Sequence, residues 1–241
     1  MKNFFTILLL ILTLTKGYSQ KTELKICLNT GLFSFTGNAA TTNTYIYSSQ
    51  PFFIGTINPY GKKSGLSGGL SLNLQRVLKE NIILGVNAGY QSNQSKVLIN
   101  AVAYEDLATP MVVVNAKGQS YITNSSIIVN PFCGYRFQIN KFPIDVVGGI
   151  NLDFISNTKE KGNATDANNV EYNVAADMKT INLDVSPKIQ LATEYKKFGL
   201  LVGYSRGLVN YKSGYDGNPN SGETKEVYSK NINFGITYRL K

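Results

Sequence analysis

Histidine is absent from all 241 residues. Imidazole is the usual acid–base group of enzymes and the commonest metal ligand, so its absence excludes His-based triads and His metal sites. The acidic pairs that remain, Glu105 with Asp106 and Asp166 with Glu171, fall in segments predicted as loops, and no calcium-loop spacing surrounds them. The sequence therefore predicts a protein that is not an enzyme and holds no cofactor or metal.

Cysteine and long apolar runs are also scarce. The two cysteines, Cys27 and Cys133, fall on opposite faces of their strands by alternation, which predicts no disulfide. After the N-terminal segment 1–19, no apolar run approaches the length that a transmembrane helix needs, so no such helix is predicted. The 24 Lys and Arg residues are scattered and do not interleave with aromatics, so the net charge of +9 does not indicate nucleic-acid binding.

The N-terminal segment 1–19 has the pattern of a secretory signal. Lys2 precedes an apolar run from Phe4 to Leu14, and Gly17 and Ser19 supply small residues for cleavage before Gln20. Cleavage there removes Lys2 and Lys16 but no acidic residue, so the formal net charge falls from +9 to +7. We therefore predict two segments, a signal peptide at 1–19 and one domain at 20–241.

The remainder of the chain is dominated by strict alternation of apolar and polar residues. It is clearest in residues 65–91, where two alternating arms of about ten residues flank the polar turn Lys79-Glu80-Asn81. Successive side chains of a strand point to opposite sides, so this segment predicts a hairpin with one apolar and one polar face. About ten residues per arm is also the length that a tilted strand needs to cross a bilayer.

Eight segments share this pattern, and the connections between them alternate between long and short. The predicted strands span about 24–35, 65–75, 82–91, 121–137, 144–156, 180–195, 198–209 and 230–240. The long connections are 36–64, 92–120, 157–179 and 210–229, where Val97–Tyr104 and Met111–Val114 read as strand extensions. This rhythm predicts an all-β fold, an eight-stranded antiparallel up-and-down transmembrane β-barrel, or ten strands if residues 97–114 form their own hairpin.

Alternation also assigns the charges that face the lumen, four of each sign. They are Lys25, Arg136, Asp145, Asp153, Asp184, Lys188, Glu194 and Arg239. Arg136 and Asp145 flank the 138–143 turn symmetrically and should face each other across one hairpin. An eight-stranded barrel is just wide enough for its own side chains, so the charges predict a salt-bridged plug. The alternative is a gated conductance through the same network.

The first long connection carries five aromatic residues that form a candidate contact surface. They are Tyr45, Tyr47, Phe52, Phe53 and Tyr60. Exposed aromatics are costly unless they are used or packed. They could bind an extracellular ligand or protein, or pack against neighbouring loops over the barrel mouth.

Three segments carry a resemblance to a known group of proteins. They are Val129-Asn130-Pro131-Phe132-Cys133-Gly134-Tyr135-Arg136-Phe137, Val202-Gly203-Tyr204-Ser205-Arg206-Gly207-Leu208-Val209-Asn210 and Asn233-Phe234-Gly235-Ile236-Thr237-Tyr238-Arg239-Leu240. Together with the signal and the eight strands, they resemble the small bacterial outer-membrane β-barrels of OmpA/OmpX-like architecture, above all the Bacteroidota-type or PorT-like ones. The resemblance implies location in the cell outer membrane, contact with its lipid and insertion by the barrel assembly machinery.

For function, these observations predict a non-enzymatic outer-membrane barrel with a structural role or a binding role through its loops. One alternative is a narrow passage for small or hydrophobic molecules, or a PorT-like role in protein secretion. Another is a soluble, secreted, lipocalin-like barrel, which requires an apolar interior and a polar exterior.

Overall fold

The computed structural model describes residues 21–49, 53–106, 109–140, 142–212 and 225–241. The predicted signal segment at 1–19 lies outside these residues. The strands within them are β1 (Lys21–Thr36), β2 (Asn43–Ser49), β3 (Phe53–Thr56), β4 (Lys63–Val77), β5 (Ile82–Asp106), β6 (Thr109–Ile139), β7 (Phe142–Asp166), β8 (Glu171–Asp177), β9 (Leu183–Tyr195), β10 (Phe198–Arg206) and β11 (Tyr228–Arg239). No helix among the described residues is long and apolar enough to cross a membrane.

Eight of the described strands close into one antiparallel ring, in the order β1, β4, β5, β6, β7, β9, β10, β11. The first and last strands pair from Lys25 with Arg239 to Thr36 with Tyr228, which leaves the ring without an edge. The short turns, the start of β1 and the end of β11 lie at one end of the barrel, hereafter the turn end. The longer connections lie at the other end, hereafter the loop end. The eight-stranded antiparallel barrel predicted from the sequence is confirmed.

The stagger of the strands gives the tilt of the barrel. One row of paired residues circles the ring and returns to β7 ten residues farther along: Ile144, Thr193, Leu200, Ile236, Leu28, Leu70, Tyr90, Ile127 and Phe154. Ten residues rise about 33 Å along a strand, and eight strands span about 38 Å across it. The strands therefore tilt by about 41°, within the range of membrane barrels, and the row climbs about 25 Å.

Polarity is inverted relative to a soluble protein. Eight of the nine members of this row, hereafter the belt row, are apolar, and all nine face outward, with Leu28 63 % exposed. Many inward positions are polar, such as Asn130 at 4 % exposed, and Val77, Ile83, Phe132 and Val147 form a small apolar cluster among them. On β7 the outward residues from Ile144 to Phe154 carry no polar side chain, and at this tilt they span a height of about 25 Å. Such an apolar band outside a largely polar lumen is the pattern of a transmembrane barrel, as predicted. The lipocalin-like alternative required the opposite arrangement and is wrong for this part of the chain.

Beyond the belt, long strands carry the sheet past the loop end. β5 and β6 have 25 and 31 residues and pair from Ile82–Tyr135 up to Asp106–Thr109. Beyond Lys63, where β4 begins, β2 takes its place beside β5 in a parallel pairing, and β8 takes the place of β9 beside β7. The extension formed by β2, β3, β8 and the upper parts of β5, β6 and β7 encloses an apolar core. That core contains Ile46, Ile99, Val102, Ala116, Ala164 and Val174.

Two predicted loops are therefore partly strands. The connection 36–64 contains the β2–β3 hairpin, and 157–179 contains the end of β7 and all of β8. Most inward positions of 157–166 are small or polar, for example Thr158, Gly162 and Ala164, and β2 and β8 each bury a single large apolar side chain, so the apolar alternation that marks a strand is missing. Residues 97–114 continue the β5–β6 hairpin, with Val102 opposite Val114, and add no strand to the ring.

Candidate functional site

The lumen at the turn end is filled by a cluster of six charged side chains, hereafter the turn-end cluster. Its members are Glu23, Lys25, Arg136, Asp145, Glu194 and Arg239, three of each sign. All of them are carried by inward positions near the short turns, where alternation on β1, β6, β7, β9 and β11 directs them into the barrel. Burial in a low-dielectric lumen requires such charges to be paired.

Glu23 lies at the centre of the turn-end cluster and is fully buried. Its Oε1 lies 3.0 Å from Arg136 Nη1, and its Oε2 lies 3.1 Å from Lys25 Nζ. Gln75 Nε2 donates to Glu23 Oε2 at 2.9 Å, and Lys21 Nζ reaches Oε1 at 3.0 Å from the rim. Sequence reasoning missed Glu23 because the predicted strand began at position 24. Its spacing of two from Lys25 places both on the same face and could have revealed it.

Arg136 and Asp145 are partners in the register of β6 and β7. The guanidinium donates from Nε to Oδ1 at 2.6 Å and from Nη2 to Oδ2 at 2.7 Å. This is the bidentate geometry that makes arginine–carboxylate pairs both strong and directional. Because the same guanidinium also bonds Glu23, it links two carboxylates on separate strands.

On the opposite wall, Glu194 joins Lys25 and Arg239. Arg239 Nη1 lies 2.9 Å from Glu194 Oε1, and Lys25 Nζ lies 2.8 Å from Glu194 Oε2. The second contact is an ion pair. The cavity of about 20 Å³ beside Lys25 and Gln75 has room for about one water molecule. Charged side chains from β1, β6, β7, β9 and β11 thus meet across the lumen at this level.

Asp153, Asp184 and Lys188 lie farther up the lumen, away from the turn-end cluster. Asp153 and Asp184 are opposite each other in register on β7 and β9. Asp184 Oδ2 accepts hydrogen bonds from Ser229 Oγ at 2.5 Å and Tyr211 Oη at 3.2 Å. Of the eight charges predicted to form one network, the structure brings together five and places these three apart.

The lumen at the loop end is closed by an apolar plug. The plug consists of Phe33, Phe35, Ala40, Tyr60, Ile122, Tyr211 and Val227. The Phe35 ring lies 5.1 Å from the ring of Phe33, 5.1 Å from that of Tyr60 and 4.9 Å from that of Tyr211, all edge to face. This geometry is the favourable one for aromatic pairs, so the plug is tightly packed.

The predicted aromatic contact surface is divided by the structure. Tyr60 is 6 % exposed in the plug, whereas Tyr45 is 42 % exposed on β2. Tyr47 donates its hydroxyl to Glu105 Oε2 at 2.7 Å. Phe53 begins β3, and Phe52 lies outside the described residues. Tyr45 and Tyr47 therefore lie on the extension, and Tyr60 faces the interior.

A buried carboxylate in the extension was also missed. Glu160 is 3 % exposed, and its Oε1 accepts hydrogen bonds from Thr56 Oγ1 at 2.5 Å and Ser120 Oγ at 2.7 Å. Burial raises the pKa of the Glu160 carboxyl above its ordinary value, and the two hydroxyls offset part of that rise. It was missed because the segment around it has the composition of a solvated loop. The described residues include no group of three or more Cys, Asp or Glu side chains placed to hold a metal ion.

No family model matches the chain, and no curated protein matches it. Among solved structures, the chain is similar to Ail, the attachment invasion locus protein of Yersinia pestis, in complex with the heparin analogue sucrose octasulfate, at 9 % identity and a TM-score of 0.34 over 91 % of this chain and 99 % of that one. It is also similar to Neisserial surface protein A, at 11 % identity and a TM-score of 0.35 over 90 % and 98 %. The translocator domain of the autotransporter NalP from Neisseria meningitidis matches at 11 % identity and a TM-score of 0.23 over 99 % and 94 %. At such low identity, function has to be argued from the residues of the chain itself.

Proposed function

We propose that the protein is a non-enzymatic outer-membrane β-barrel that presents a rigid extracellular extension and does not conduct. The observation that carries this proposal is the inverted polarity of the barrel, with the belt row outside and asparagines and charges inside. An apolar band about 25 Å high fits the hydrocarbon core of an outer membrane and has no use in water. The turn end then faces the periplasm, and the extension lies outside the cell.

Closure of the lumen at both ends supports a structural or binding role over passage. Arg136, Glu23 and their partners fill the turn end, and Phe35 lies at the centre of the plug at the loop end. Opening such a barrel would require unpaired buried charges or the loss of the aromatic packing, both of which cost several kcal/mol. We therefore favour the binding role over a passage for small or hydrophobic molecules.

The extension supports a binding role because it is a packed sheet that continues beyond the membrane. Its outer face carries Tyr45, Tyr47 and Val113, and its inner face is covered by its own core. A rigid surface of this kind loses little conformational entropy on contact with a partner. We infer that an extracellular ligand or protein binds there.

The finer assignments rest on the sequence. The segment 1–19 is proposed as the secretory signal, and the barrel assembly machinery as the partner that inserts the barrel. The Bacteroidota-type or PorT-like assignment rests on the segments 129–137, 202–210 and 233–240. A PorT-like role in secretion would have to use the outer wall or the extension, since the lumen is filled.

The test is heat-modified gel mobility of the mature protein from outer membranes, followed by planar-bilayer recording. We expect a faster-migrating band that shifts on boiling, and no steady conductance. A protein that is freely soluble without detergent and shows no shift would overturn the barrel proposal. A stable open channel would overturn the closed lumen.

A further inference from the structure

The outer wall at the turn end carries a row of four aromatic residues that is split in the middle. Phe142 pairs with Tyr195 at 5.7 Å between ring centroids, and Phe198 pairs with Tyr238 at 5.2 Å. Tyr195 and Phe198 are direct partners in the register of β9 and β10, yet within the described residues their rings do not contact each other. Each ring packs against its outer neighbour, and Tyr195 and Phe198 both line the gap between the two pairs.

The gap continues as a groove into the apolar belt. The groove has a volume of about 330 Å³ and is bordered by Tyr195, Phe198, Thr193 and Leu200. A second groove of about 270 Å³ meets it at Thr193 and Leu200. Thr193 is the only polar member of the belt row. Its side chain is smaller than those of its neighbours, which leaves a notch in the apolar wall at this position.

Two adjacent lysines stand at the mouth of the groove. Lys196 and Lys197 form the β9–β10 turn and are exposed. Arg239, a member of the turn-end cluster, holds both carbonyls of this turn: Nη2 donates to Lys196 O at 2.7 Å, and the backbone nitrogen donates to Lys197 O at 2.8 Å. Lys196 Nζ lies 5.4 Å from the centre of the Tyr195 ring, so one positive charge is placed at the edge of the gap.

We propose that this groove binds one anionic phospholipid of the leaflet that faces the turn end. Lys196 and Lys197 hold the phosphate, and one acyl chain passes between Tyr195 and Phe198 to the notch at Thr193. Adjacent lysines at a membrane surface attract anionic headgroups, and the notch buries methylene groups against apolar side chains. The proposal rests on the proposed membrane location, because only there does this wall meet lipid.

The test is native mass spectrometry of the folded, detergent-solubilised barrel with equal amounts of phosphatidylglycerol and phosphatidylcholine of the same acyl chains. We expect one bound lipid, with about a thirtyfold preference for phosphatidylglycerol from two lysines. The double variant Lys196→Ala/Lys197→Ala should lose the preference, and Thr193→Leu should lower retention of both lipids. The matched controls are Lys79→Ala in the β4–β5 turn and Ala88→Leu on the far wall, and neither should change binding.

Equal retention of the two lipids, or the same loss in Lys79→Ala, would show a non-specific basic rim and overturn the proposal. Unchanged retention in Thr193→Leu would overturn the acyl-chain part. Every variant is first required to show the heat-modified band. A missing band in the unaltered protein would instead count against the barrel proposal, so the two failures are distinguishable.

Discussion

Arg136 and Asp145 face each other across the β6–β7 hairpin and share two hydrogen bonds, at 2.6 and 2.7 Å. The pair lies at the turn end of the lumen, where a second edge of the guanidinium, formed by Nη1 and Nη2, donates to Glu23. A single arginine therefore ties β1, β6 and β7 together inside the barrel.

Replacing Arg136 with Met should destabilise the barrel by about 3–5 kcal/mol, because Glu23 and Asp145 lose a shared buried partner. The measurement is urea unfolding in lipid vesicles, read by heat-modified mobility. The control is Lys159→Met, which removes an exposed contact to Asp177 at 3.9 Å worth about 0–1 kcal/mol. Adding Asp145→Leu to the Arg136 variant should recover part of the loss. Equal stability of the Arg136 variant and its control would contradict the role given to the turn-end cluster.

An arginine at Leu28 should impair insertion. Leu28 is the fifth of nine residues in the belt row and so lies near mid-height, facing outward. Arginine at the bilayer midplane costs about 2–4 kcal/mol in membrane barrels, and the cost falls toward zero outside the belt. The measurement is folding free energy in lipid vesicles, with Met111→Arg on the exposed tip of the extension as control. Equal costs at Met111 and Leu28 would show that the membrane does not lie around the belt row.

The stability of the extension should fall as pH rises, through Glu160. Folding raises the pKa of this carboxyl, so the neutral form is favoured in the folded chain. The stabilisation is complete below the unfolded pKa and is lost as pH rises through the higher folded value. Hydrogen exchange of β8 should therefore become faster as the pH rises above about 4, the ordinary pKa of a glutamate, after correction for intrinsic rates. Glu160→Gln should flatten this dependence, whereas Glu171→Gln, at an exposed position, should leave it intact.

Truncating Ile46 should loosen the extension and leave the membrane part intact. Ile46 is fully buried in the extension core, and isoleucine-to-alanine changes in cores cost about 2–5 kcal/mol. Limited proteolysis should cut the extension of Ile46→Ala faster, with the heat-modified band unchanged. The exposed Ile57 supplies the control, since Ile57→Ala should be cut at the rate of the unaltered protein. If both variants were cut alike, the extension would not be a packed unit.

The membrane part of the fold could be predicted from the sequence because one face of each strand there is apolar at nearly every position. Period-two alternation in segments such as 65–91 and 180–195 fixes both the strand and its lipid-facing side, since a slip of one residue would invert every side chain. The same parity predicted Arg136 opposite Asp145, and the structure has that register. Short turns around Lys79 and Lys196 then fixed which strands are neighbours.

Tertiary structure decided what local pattern does not encode. Glu23 enters the turn-end cluster and Tyr60 the plug because the closed ring brings distant strands to one lumen, a relation that alternation within one strand cannot express. β2 lies parallel to β5 because β4 does not extend past Lys63 at the loop end. The backbone groups of β5 beyond that point therefore require other partners. Likewise, the gap between Tyr195 and Phe198 depends on which neighbour each ring contacts. The sequence by itself therefore determined the barrel and its two faces, and only long-range packing determined the extension, the membership of the turn-end cluster and of the plug, and the groove beside Tyr195.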